Sequence, residues 1–131
     1  MDIADLAYFA AFIDGEGCIR VCGKRARATA SLSVTNTYPQ VLRDLESFFG
    51  GSIRFCPTAS PYHLPKYEWY VYGETALRAV RTLMPYLRQK KDQAAALLAW
   101  AEWPRKSSAA HECARRLSIM KRRHYDYDTT T

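Results

Sequence analysis

The sequence predicts an α+β chain in which a four-stranded antiparallel sheet carries helices on one face, in the order αββαββα, with further helices at the C-terminal end. Three observations predict it. Residues 27–36 alternate polar and apolar with a period of two, the pattern of a half-covered antiparallel strand. Residues 6–13 run apolar or small without a charge and end in Asp14-Gly-Glu-Gly17. Two strand pairs are each preceded by a helical pattern, as expected for two halves of one sheet. A length of 131 residues suits one domain with a single core. That domain is read over 1–131, with its core over about 3–103 and a basic helical extension over about 105–125.

The first helix begins after Asp2, which can cap it, and Asp5 in the first turn suits the helix dipole. The uncharged apolar run carries it to about Ile13. A surface helix has one polar face. This one has none, and it is too short to span a bilayer. Burial between two protein bodies remains, with the acidic pair delivered at its end. Ala7, Ala10 and Ala11 leave a face with little side-chain bulk, which lets a second helix approach closely.

A strand over Cys18 to Lys24 puts Arg20, Cys22 and Lys24 on one face, with Ile19 and Val21 on the other. The second strand, Arg27 to Asn36, puts Arg27, Thr29, Ser31 and Ser33 on one face and Ala28, Ala30, Leu32 and Val34 on the other. A helix follows Thr37-Tyr-Pro39, with Val41, Leu42, Leu45, Phe48 and Phe49 at helical spacing, and Gly50-Gly51 stops it. Ser52 to Cys56 is a short strand with Arg54 opposite Ile53 and Phe55. Lys66 to Tyr72 is the fourth; Trp69 and Val71 face the core, and Glu68, Tyr70 and Tyr72 share the side of Arg54. Glu74 to Leu83 is helical, Pro85 breaks it, and another helix runs from there to about Trp103. The last helix, Ser108 to about His124, turns Cys113, Leu117 and Met120 inward and carries Arg115, Arg116, Lys121, Arg122 and Arg123.

The net charge is +6, but the first nineteen residues hold four acids and neither Lys nor Arg, so the remainder carries +10. A basic body suits a polyanion, either nucleic acid or an anionic membrane surface. No membrane span is read, and the acidic N-terminus does not resemble a signal peptide. The four cysteines lack the paired spacing of a zinc site and read as free thiols in a reducing, intracellular compartment. An open sheet with a basic, hydroxyl-rich face can lie in a DNA major groove. Arg20, Cys22, Lys24, Arg27, Thr29, Ser31, Ser33, Arg54, Glu68, Tyr70 and Tyr72 are its candidate contacts. A carboxylate beside a phosphodiester is repulsive unless a cation lies between them. Asp14 and Glu16 therefore either cap a helix end or serve a hard divalent ion.

Phe9-Ala-Ala-Phe-Ile-Asp-Gly-Glu-Gly17 resembles the LAGLIDADG signature of homing endonucleases. Pro85-Tyr-Leu-Arg-Gln-Lys-Lys-Asp-Gln93 and Trp69-x-Val71-x-Gly73 are similar to further segments of that family, and the likeness spans roughly residues 3–103. It departs from the consensus at Glu16, where Asp is usual, and at Ala11, where Gly is usual. The resemblance implies the αββαββα LAGLIDADG fold and a homodimer with two motif helices packed across a two-fold axis. Ala7, Ala10, Ala11 and Asp14 would lie at that interface. It implies a nuclease that binds a long pseudo-palindromic double-stranded DNA target and cuts each strand once, leaving short staggered ends. Glu16 and the Gly15 carbonyl would bind Mg²⁺, with Mn²⁺ as a substitute. Lys90 would lie near the scissile phosphate, and Asn36 would belong to the water network. An intron RNA maturase and a non-cleaving DNA-binding regulator are the alternatives on the same fold.

Overall fold

Four antiparallel strands and five α-helices make up the computed structural model, which describes residues 2–130, excepting the side chains of Arg25 and of residues 122–130. The basic pair Arg122 and Arg123 expected on the last helix lies outside the described side chains. The elements are α1 (Ile3–Glu16), β1 (Gly17–Cys22), β2 (Thr29–Asn36), α2 (Gln40–Phe49), β3 (Ser52–Cys56), β4 (Lys66–Tyr72), α3 (Gly73–Leu83), α4 (Lys91–Ala101) and α5 (Ser108–Thr130). The sheet order is β1-β2-β4-β3, with every neighbouring pair antiparallel. The α+β class and the four-stranded sheet agree with the sequence reading.

Register sorts the side chains into two faces. Ile19, Leu32 and Val71 form one row, and Val34, Trp69 and Ile53 the next. Both rows meet the helices and join Phe9, Ile13, Leu42, Leu45, Leu77, Val80, Leu97 and Trp100 in one core. Trp69 is fully buried, and its indole N–H donates to the Gly50 carbonyl at 2.9 Å. That bond fixes the turn from α2 into β3. Gly51 has φ +92°, a conformation other residues rarely adopt, which is why two glycines stand at this turn.

Several boundaries differ from expectation. α1 continues through Asp14, Gly15 and Glu16 instead of ending at Ile13, so both acids sit on its last turn. The Gly17 N–H closes it on the Ile13 carbonyl, and a Cβ on Gly17 would lie 2.7 Å from that same oxygen. β1 ends at Cys22, and residues 25–27 form a 3₁₀ turn, so Lys24 and Arg27 are off the strands. After Leu83 the chain makes a 3₁₀ turn over residues 84–86, which holds Pro85, then an irregular stretch, and α4 starts only at Lys91. No described helix is long and apolar enough to cross a membrane. All four cysteines are unbridged.

Candidate functional site

The open face of the sheet carries the polar set. Arg20, Ser31 and Tyr72 form one row across β1, β2 and β4. Cys18, Ser33, Tyr70 and Ser52 form the next, and Thr35, Glu68 and Arg54 a third. Cys22 pairs with Thr29 at the far end. Thr35 and Cys18 were absent from the expected contacts, although the same alternation reaches them. Arg20, Lys24, Arg27 and Tyr72 are exposed. Arg54 is held by an ion pair with Glu68 and lies over the Tyr70 ring, 5.0 Å from its centroid. Glu68 is the main cause of a raised Arg54 pKa, through a hydrogen bond and its charge.

Ser31 and Ser33 correct the sequence reading: they are 1% and 5% exposed and cannot meet DNA as the chain stands. β2 is an inner strand, so the longer Arg20 and Tyr72 flank Ser31, and Cys18 and Tyr70 flank Ser33. The Ser31 hydroxyl is buried with no hydrogen-bond partner. Position on the polar face therefore does not equal access.

The chemistry gathers where α1 enters β1. Glu16 and Gly15 are exposed there. Among the described residues, Glu16 makes no side-chain hydrogen bond or ion pair. Asp14 turns inward and ties two distant segments together. Its carboxylate accepts from the Arg88 N–H at 2.8 Å and the Lys90 N–H at 3.0 Å, and its carbonyl accepts from Lys90 Nζ at 2.7 Å. Asp14 is thus a clamp within one chain, a role its spacing from residue 90 hides in the sequence. Burial pushes the Lys90 pKa down; the charges of Asp14, Cys18 and Glu16 oppose this, while Lys121 reinforces it. Lys121 comes from α5 and donates to Cys18 Sγ at 3.0 Å, bringing the C-terminal helix to the same corner.

Asn36 stands at the same end of the sheet, two residues beyond Val34, the partner of Gly17. Its side-chain oxygen accepts from the Tyr38 N–H at 2.8 Å, which leaves the amide NH₂ to donate elsewhere. On α1, Leu6, Phe9, Ala10 and Ile13 turn towards the sheet. Ala10 is fully buried there, which removes it from any interface with a second chain. Ala7, Tyr8 and Ala11 are exposed on the opposite side.

The residues present fit a hard divalent cation. Glu16 is an exposed carboxylate at the negative end of a helix. The described residues contain no cluster of three metal-binding side chains. One carboxylate still suffices for an ion such as Mg²⁺, which keeps waters and takes phosphate oxygens.

No family model matches the sequence, and no curated protein matches it significantly. Solved structures do match. I-CvuI, a homing endonuclease in complex with the I-CreI target in the presence of 2 mM Mg with the DNA not cleaved, gives a TM-score of 0.69 at 24% identity over 91% of this chain and 85% of that one. The archaeal intron-encoded homing endonuclease I-Vdi141I, complexed with DNA, gives 0.70 at 18% identity over 89% and 84%. The LAGLIDADG homing endonuclease I-SmaMI, bound to cleaved DNA, gives 0.62 at 16% identity over 88% of this chain but 43% of that one. The chain has the LAGLIDADG homing endonuclease fold.

Proposed function

We propose that this chain is a site-specific homing endonuclease that acts as a homodimer on a long, pseudo-palindromic double-stranded DNA target. The corner at the end of α1 carries the reading: an exposed Glu16, without an ion pair among the described residues, beside a partly desolvated Lys90 at one end of an open polar sheet. The DNA complexes of the similar structures support it.

Glu16 and the Gly15 carbonyl would hold Mg²⁺, or Mn²⁺ in its place. When bound, such an ion polarises a phosphate and makes its water nucleophilic. Lys90 offers a cation to the phosphate oxygens, and Asp14 holds it in place. The free NH₂ of Asn36 would orient water. Arg20 and Arg54 on the open face would read bases or hold phosphates.

The homodimer is supported by the outer side of α1. Ala7, Tyr8, Ala11 and Gly15 leave an apolar stripe uncovered. A Cβ at Gly15 would meet nothing within 4 Å, so packing inside this chain does not require glycine there. A second copy of α1 is a cover that does. The two-fold then brings two Glu16 sites together and demands matching half-sites. Each site cuts one strand, and the product has short staggered ends.

Incubation with a library of DNA targets, in Mg²⁺ or in EDTA, tests the reading. Double-strand cuts that need the metal are expected. The Glu16→Gln variant should bind the same targets without cutting them. Full cleavage by that variant, or cleavage in EDTA, would overturn the metal assignment. Metal-independent binding without cuts would mark a regulator, and tight binding to structured RNA a maturase.

A further inference from the structure

A cleft of about 1040 Å³ opens between β1, the turn after it and α5. Its floor is apolar, formed in part by Val21, Trp100 and Leu117. Its walls carry Arg20, Lys24, Arg105, Lys106, Arg115 and Lys121, and no carboxylate lines it among the described residues. Glu112 on α5 engages Arg115 through both oxygens, which partly neutralises that one cation. The Arg105 guanidinium carbon lies over the Trp100 ring, 4.0 Å from its centroid, a cation–π contact that holds the charge at the cleft wall. Ser107 caps α5 by accepting from the Ala110 N–H, so the positive end of the helix also faces the cleft.

One end of the cleft reaches the catalytic corner. Lys121 lines the cleft and also touches Cys18, the residue after Gly17. From there α5 lines the cleft back to Ser108. Residues 108–121 span about 20 Å at about 1.5 Å each, roughly six nucleotide steps of one DNA strand at about 3.4 Å. The volume exceeds what most small ligands need. A run of like charges over that length, continuous with a phosphate-cutting site, matches a phosphodiester backbone.

We propose that this cleft binds the DNA backbone flanking the cut, with Lys121 at the end nearest the site and Arg105 and Lys106 at the far end. The proposal rests on the nuclease reading, and it gives the C-terminal helix a function: α5 is the outer wall of a phosphate track beside the sheet. These contacts carry no sequence information, so they add affinity equally on every duplex.

The experiment follows from that last property and needs no known target. Binding of a mixed-sequence duplex is titrated in EDTA between about 50 and 200 mM salt, where each phosphate contact contributes about 0.9 to the slope of log affinity against log salt. Combining Arg105→Gln, Lys106→Gln and Lys121→Gln should lower the slope by about 2.7 if all three hold phosphates. Lys106→Gln alone should lower it by about 0.9, which keeps the test open if the triple variant does not fold. Arg43→Gln, on an exposed face of α2, should leave it unchanged. A wild-type slope in both cleft variants would overturn the cleft and leave the nuclease reading intact. A wild-type protein that binds no duplex at all would overturn both.

Discussion

Asp14 makes the arrangement around Lys90 specific. A carboxylate accepting two backbone N–H groups contributes about 1.5–3 kcal/mol, towards the lower end when half exposed as here. Asp14→Ala should therefore lower unfolding free energy by about 2 kcal/mol in urea titrations. It should also slow cleavage by roughly 100-fold, because a misplacement of about 1 Å is enough for that loss. Lys90 gives a pH signature. Burial holds its pKa below the ordinary 10.5, so the charged form is the costly one in the folded chain. That cost is present at neutral pH and is relieved as the pH rises through the lowered value. Lys90→Met lacks this group, so wild-type stability measured against that variant should increase as the pH rises above neutral towards the ordinary lysine value of 10.5. A difference that stays flat would mean that Lys90 is not desolvated in solution. Neither effect was legible in the sequence, which shows an acid at 14 and a lysine at 90 but not their contact.

The helices and strands were far more legible. Period-two alternation assigned the faces of β2 and β4 correctly, and Gly50-Gly51 marked the stop of α2. Errors gathered where local pattern and tertiary setting diverge. The polar period counted Arg27 into β2, although a 3₁₀ turn holds it. The apolar run stops at Ile13 and sets the expected end of α1 there, yet one glycine in a last turn costs only about 1 kcal/mol and the helix continues through Glu16. The burial of Ser31 follows from strand order, which alternation does not encode. The two motif glycines differ in kind, and this can be tested. Gly17→Ala pushes a Cβ against the Ile13 carbonyl and should cost about 1–3 kcal/mol in thermal melts. Gly15→Ala meets nothing in its own chain and should leave the monomer as stable or up to about 1 kcal/mol more so. Sedimentation should show instead that it weakens self-association.

The assembled molecule has one face for helices, one open face for a ligand, and an α1 whose outer stripe is bare. An acid on that stripe should separate two copies without disturbing either core. Ala11→Glu is therefore expected to sediment as a folded monomer and to lose double-strand cutting. Persistence of the dimer would place the interface elsewhere. The tie between Asp14 and residues 88 and 90 has another consequence, in time. The partners stand 74 and 76 positions apart, and Lys121 meets Cys18 across 103. Contacts of such long range carry a loop-closure cost that must be met before they form. A chain emerging from the ribosome presents Glu16 first and Lys90 much later. The corner proposed for cutting thus comes together only once residues 90 and 121 have been made, and a shorter product would carry Glu16 without Lys90 beside it.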